Sequence, residues 1–414
     1  MRAHPAIAVS YASALAAQQT GSPPDLDLPA LALEWPELLK RFATVSDGRS
    51  DQGRDHPVAV VLTLCAAAVL AGMRSFTAIA GWVADVPAEV LARLYTAPEA
   101  IVPSKTTLWR VLTGADPAAV DAAVGAWLAE QAAGTTSAPE TPTGAHAPGL
   151  VAVAVDGKTL RGAVDSEGNQ THLLAAATHG EQLVLGQVEV GAKTNEIPMF
   201  APLIDRLAAI GVDLSHLVIT ADALHSQRAH AEYLHERGAN FVLTAKHNQP
   251  GLFAALDALP WAEVPIGHRE VDHGHGRTTT RTIQVRPAPA DLPFPHVEQV
   301  WLVERYVHNR HGTPISAVAA LGVTALGADQ AGPAELASLV RNHWGIESLH
   351  WLRDTVYRED HSTARTGSGP HAMSALRNLA IGALHLLGRR DITEATRWVT
   401  RVMDQPFKIL GLIP

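Results

Sequence analysis

Val151-Ala-Val-Ala-Val155 runs directly into Asp156-Gly157-Lys158-Thr159. A short apolar run with alternating valines, closed by an acid and a glycine, predicts a buried strand that ends at Asp156. A second such run, Leu217-Val-Ile-Thr-Ala221, leads into Asp222-Ala-Leu-His225. A third acid, Glu347, lies in a stretch of helical periodicity from Arg341 to Asp354. Strand ends are rigid, so carboxylates placed there can keep the spacing that a metal site demands. Hard oxygen ligands suit Mg²⁺ or Mn²⁺, and two such ions about 3.5–4 Å apart serve an in-line displacement at phosphorus. Duplex nucleic acid is the natural substrate for that chemistry. Any one aspartate after a strand is more simply a turn residue, so the surrounding residues must carry the reading.

Five words occur in order: Ala154-Val-Asp-Gly-Lys-Thr-Leu-Arg-Gly162, Lys193-Thr-Asn-Glu-Ile-Pro198, Thr220-Ala-Asp-Ala-Leu-His-Ser-Gln227, Lys246-His-Asn-Gln249, and His343-Trp-Gly-Ile-Glu-Ser-Leu-His-Trp351 with Arg358-Glu-Asp360. Together they resemble the DDE transposases of bacterial insertion sequences, in the branch that includes the H-repeat-associated proteins. The resemblance runs from about Leu31 to the C-terminus. It implies an α/β fold: a ribonuclease H-like catalytic domain with an inserted β-rich subdomain, preceded by a helical N-terminal domain. It also implies that Asp156, Asp222 and Glu347 are the catalytic and metal-binding acids, holding two Mg²⁺ or Mn²⁺ ions. The activity implied is metal-dependent cleavage and strand transfer at element ends. A nuclease of the same fold without strand transfer, or an inactive DNA-binding derivative, is the alternative.

In such a layout Thr171–Thr178 and Gln182–Val190 complete a meander with the first strand, and Glu196–Ile210 has the spacing of a crossover helix leading to the strand at 217. A helix over His225–Arg237 and a strand over Phe241–Thr244 follow. The interval between Asp222 and Glu347 is too long for the minimal fold. The surplus, about 262–325, alternates apolar and polar residues, with strands expected at Thr278–Val285, Gln299–Val307 and Ile315–Leu321. Helical periodicity resumes near Pro333, and helices over 371–388 and 391–403 close the catalytic domain at 150–414.

Residues 1–28 read as a flexible tail and 29–132 as a helical, transposase-associated domain that binds DNA ends. Apolar residues recur at helical spacing in 29–43, 56–71 and 74–95. Ser104 is a plausible N-cap for a helix bearing Lys105, Thr106 and Arg110, which suits a major groove. A module that only packs or dimerises is the plainer reading. Residues 133–149, rich in Pro, Gly, Ser and Thr, read as a linker.

The net charge of −9 weighs against a nucleic-acid partner, although local patches set phosphate contacts. Candidate DNA contacts are Lys105, Thr106, Arg110, Lys158, Lys246, Arg277, Arg281, His343 and Arg353. The partner implied is double-stranded DNA, both the terminal inverted repeats and the target. A homodimer or higher oligomer is expected from the need to hold two ends. A single cysteine, Cys65, excludes a disulfide framework within the chain. The longest apolar run, Val58–Leu70, is too short to span a bilayer, so a soluble cytoplasmic protein, nucleoid-associated when on DNA, is expected.

Three details depart from the family or stay open. His273 and His275 lack acid or thiolate neighbours at zinc spacing, so a polar hairpin is expected there. Thr279 stands where the family's hairpin carries an acid, and His343 and Asp354 stand where related transposases carry Arg and Lys. Trp344 and Trp351 share one helical stripe; core packing is the expected role, and stacking on a flipped base the alternative.

Overall fold

In the computed structural model, residues 36–49, 55–95, 102–135, 149–274 and 276–414 are described. The run at Val151 begins β1 (Val151–Val164), but the strand continues well past Asp156 rather than ending there. What ends at Asp156 is one of its two pairings. On one side β1 runs parallel to β4 (Leu217–Ala221) only as far as Val155 opposite Ala221. On the other it stays antiparallel to β2 (Gln170–Thr178), through Asp156 opposite Ala175 to Leu160 opposite Thr171. Just past Val155, β1 therefore keeps a strand neighbour on the β2 edge alone; further on, the segment 360–365 covers the other edge at Arg161 and Gly162.

β3 (Val184–Val190) completes the expected meander, and β5 (Asn240–Ala245) lies parallel to β4. Beyond β5 come β6 (His268–Gly274), β7 (Arg277–Pro287), β8 (Gln299–Asn309) and β9 (Pro314–Thr324). The order is β3-β2-β1-β4-β5-β9-β8-β7-β6, one sheet of nine strands among the described residues. The β-rich surplus is thus an extension of the central sheet, joined where Val242–Ala245 pairs with Leu321–Thr324. β6 was not expected from the sequence, because its inward and outward positions are nearly all polar: His-Arg-Glu-Val-Asp-His-Gly.

Among the described residues six helices precede the sheet: α1 (Glu37–Ala43), α2 (Val58–Leu70), α3 (Phe76–Ala84), α4 (Ala88–Leu94), α5 (Lys105–Gly114) and α6 (Pro117–Thr135). Ser104 caps α5 as expected, its Oγ accepting from the Thr107 N–H at 3.2 Å. The stretch read as helical over 74–95 is two helices, with Pro87 at the N-cap of the second. The tail at 1–28 and most of the linker at 133–149 lie outside the described residues. Among these residues no helix is long and apolar enough to cross a membrane.

The remaining helices are α7 (Phe200–Ala209), α8 (Arg228–Glu236), α9 (Pro250–Asp257), α10 (Pro333–Asn342), α11 (Gly345–Thr355), α12 (Gly369–Leu386), α13 (Ile392–Val399) and α14 (Gln405–Ile409). Every residue of α2 and of α12 is buried, so each is covered by protein on all sides. One apolar core runs from Leu38 through the sheet to Leu412. Gly125 lets α6 lie hard against β3, since a Cβ there would stand 1.9 Å from the Leu185 carbonyl oxygen.

Polar groups cross this core as a connected chain. Asp121 on α6 accepts from the Gln187 backbone N–H at 2.5 Å and from its Nε2 at 2.9 Å. The Ser374 hydroxyl on α12 bonds Gln187 Oε1 at 2.9 Å and Arg353 Nη2 at 2.5 Å. Arg353 Nε and Arg377 Nη1 then share Glu359, at 2.7 and 2.9 Å. Burial works to raise the Glu359 carboxyl, but Arg353 and Arg377 outweigh it and hold it at about 2. Removing that charge would leave two buried guanidiniums facing each other. Glu359→Gln is expected to cost about 3–5 kcal/mol of stability at neutral pH, seen as a lowered urea midpoint. An unchanged midpoint would show that the cluster does not hold the core.

Candidate active site

The register that ends at Val155 and Ala221 makes Asp156 and Asp222 the next residues on two adjacent strands. Asp222 Oδ1 accepts from the Leu224 N–H at 2.9 Å, capping the tight turn Ala223–His225. Glu347 lies in the first turn of α11 and is exposed. The stretch read as one helix from Arg341 breaks at His343 and Trp344, which end α10 and begin α11. Lys158 Nζ ties β1 to α11 by reaching Asp354 Oδ2 at 2.6 Å, and Arg353 anchors the same helix to Glu359 in the turn that follows it.

Burial, and then the charges of Glu196, Asp222 and Glu347, push Asp156 up to about 7 against the opposing pull of the Gly157 N–H. Burial also raises Glu347. The nearest imidazoles do not relieve this. His350 Nδ1 lies 3.6 Å from Asp156 Oδ2, but burial drives this histidine down to about 3, and His343 falls to about 4 for the same reason. Both rings are neutral at pH 7. Among the described residues no three His, Cys, Asp or Glu side chains close around a point that would hold a metal. The donor set still fits a hard divalent cation in kind: carboxylate oxygens that repel one another, one of them held near neutrality until a positive charge arrives.

A cleft of about 1080 Å³ opens beside these acids, lined by Asp222, Lys246, Arg281, Arg341, His343 and Glu347 among others; Asp156 is not on its wall. Of the residues expected to touch DNA, Lys246 is exposed in this cleft, and Lys105, Thr106 and Arg110 are exposed on α5. Arg277 is exposed at the β6–β7 hairpin, where His273 Nδ1 bonds Thr278 Oγ1 at 3.1 Å as a polar hairpin would; His275 lies outside the described residues.

Two expectations are corrected. Arg353 is fully buried in its ion pair and cannot reach DNA. Lys158 is 8% exposed and spent on Asp354 and Asp360. His343 is half-buried on the cleft wall, its Nδ1 3.1 Å from Thr220 Oγ1. Arg281 faces the cleft and pairs with Asp272 at 2.5 Å, which Arg341 also contacts at 2.9 Å. Asp272 sits opposite Thr279 in the ladder, so the acid missing at 279 is supplied from the neighbouring strand.

The tryptophans also reverse the expectation. Trp344 is 60% and Trp351 63% exposed, on the Glu347 side of α11. Helical spacing places them on one stripe, but that stripe faces outward. Conversely, sequence reasoning passed over His350, three residues after Glu347 and so on its face, and Glu196, whose partners lie far away in the chain.

Two measurements follow from this electrostatic arrangement. A raised Asp156 means that the folded chain binds this proton more tightly than the unfolded one, so stability falls as pH rises from about 4 to about 7. Asp156→Asn is therefore expected to melt higher than wild type at pH 8 in EDTA, with the gap closing below about pH 4 and narrowing when Mg²⁺ is added. Trp344→Ala and Trp351→Ala are expected to change stability by no more than about 0.5 kcal/mol, in contrast to buried tryptophans such as Trp301.

The family described as Transposase DDE domain matches residues 147–382, and the one described as DDE_Tnp_1-associated matches 39–128. The Escherichia coli O157:H7 protein named "Putative transposase YncI" is 27% identical over 363 residues, covering 84% of this chain and 87% of that one. The "H repeat-associated putative transposase YhhI" of Escherichia coli K12 is 24% identical over 376 residues, 85% and 91% of the two chains. A piggyBac transposase synaptic complex with hairpin DNA overlaps 92% of this chain at 10% identity with a TM-score of 0.39, too slight to show a shared fold. With the DDE family spanning more than half of its length, the chain belongs to the DDE-domain transposases, in the branch of the H-repeat-associated proteins.

Proposed function

We propose that this chain cleaves DNA at the ends of its element and joins the freed 3′ hydroxyl to target DNA. The observation that carries this is that Asp222 and Glu347 lie close enough to Asp156 for their charges to bear on it, where the parallel pairing of β1 with β4 ends. The antiparallel meander β1-β2-β3 followed by parallel β4 and β5 supports a ribonuclease H-like reading of the sheet. Asp156, Asp222 and Glu347 would hold two Mg²⁺ or Mn²⁺ ions. Bound there, such ions supply positive charge at the scissile phosphate and a more acidic water.

The protein's own side chains do the rest. Lys246 meets the phosphate backbone from the cleft wall. Lys105, Thr106 and Arg110 on α5 grip the inverted repeat, with Arg277 as an outlying contact. Trp344 and Trp351 offer flat faces to bases beside Glu347. The chain works as a dimer or higher oligomer, because two element ends must be held at once.

The test is incubation of the purified protein with a duplex carrying the gene's flanking inverted repeats, with Mg²⁺ or with EDTA. Nicking at the element boundary is expected with Mg²⁺ alone, reduced to the EDTA level in Asp156→Asn while end binding survives. Nicking without joining would reduce the activity to that of a nuclease, and binding without nicking to that of an inactive derivative. Lys246→Ala is expected to lower the slope of log affinity against log salt by about one.

A further inference from the structure

Glu196 is a fourth acid beside the three, and nothing above gives it a task. Its side chain is 17% exposed. Oε1 accepts from His172 Nε2 at 2.8 Å and Oε2 from His225 Nε2 at 3.1 Å. His172 bonds Thr159 Oγ1 through its Nδ1 at 2.8 Å, and Thr159 and His172 are register partners on β1 and β2. His225 is 1% exposed and ends the turn that Asp222 caps. The carboxylate also presses on the chain directly after Asp156: a Cβ on Gly157 would stand 2.2 Å from Glu196 Oε1. Burial works to raise this carboxyl, but the two imidazole bonds outweigh it and hold it at about 2, so it accepts on both oxygens at pH 7.

The connection is specific. One oxygen is fixed, through His172 and Thr159, to the strand of Asp156; the other is fixed, through His225, to the turn of Asp222. β1 and β4 stop pairing at Val155 and Ala221, so no backbone ladder holds the two aspartates at a set distance beyond that point. We propose that Glu196 is the positioning residue that replaces the ladder there, clamping the Asp222 turn to β1 and so setting the separation at which the two aspartates take up a divalent ion. It rests on the reading of Asp156 and Asp222 as metal-holding acids. Outer residues that orient metal-binding side chains commonly govern affinity by about 10–100-fold.

The experiment is Mn²⁺ binding by the full chain without DNA, followed by the paramagnetic resonance of the free ion. Glu196→Gln keeps the volume but turns one accepting oxygen into an amide that cannot accept. It is expected to weaken Mn²⁺ binding about tenfold or more in a chain that still unfolds cooperatively in EDTA, at a temperature below wild type because the ionised carboxylate also stabilises the fold. His172→Gln, on a side chain 25% exposed, cuts the same clamp from the other end and is expected to weaken binding likewise; it decides the matter if Glu196→Gln does not fold. Wild-type affinity in a folded Glu196→Gln or His172→Gln variant would overturn the clamp and leave the three acids standing. Wild-type affinity in Asp156→Asn would overturn the metal reading itself, and the clamp with it.

Discussion

The parallel pairing of β1 with β4 is the constraint on which the site depends. β1 from Ala152 to Val155 and β4 from Leu217 to Ala221 are buried, and a one-residue slip would move every side chain to the opposite face of the sheet. That cost holds Val155 opposite Ala221 and delivers Asp156 and Asp222 side by side. Beyond that pair the strands part: β1 continues against β2, and β4 gives way to a tight turn. The two aspartates lie where the ladder between β1 and β4 stops.

Glu347 reaches the same place by other forces. α11 carries an exposed face with Glu347, Trp344 and Trp351 and a buried one with Leu349 and Arg353. A guanidinium in the core is tolerable only with its charge met and its donors satisfied, which Glu359 and Ser374 provide. Lys158 adds a second tie from β1 to the same helix. Lys158 and Arg353 are thus committed to internal carboxylates. Other cations stay exposed, Lys246 on the cleft and Lys105 and Arg110 on α5 among them.

Much of this was legible in the residues. The apolar runs before Asp156 and Asp222, the meander, the crossover helix before β4 and the Ser104 cap are local patterns, and local sterics and burial decide them. Failures had physical causes too. β6 has an almost wholly polar strand sequence and forms only because β7 offers it a ladder. Trp344 and Trp351 share a stripe with the periodicity of a core face, but periodicity does not say which way a stripe looks. Arg353 and Lys158 looked like free cations because their partners, Glu359 and Asp354, had no marked relation to them in the chain.

Local order along the chain was enough to name the three acids, the types of most elements and the family they resemble, since these depend on neighbours within a few residues. Only the folded chain decided which cations are spent internally, which tryptophans face solvent, and that Glu196 spans from the Asp156 strand to the Asp222 turn through His172 and His225. None of these follows from local pattern alone, and a charge or an apolar ring has no fixed role until the partner that neutralises or covers it has arrived.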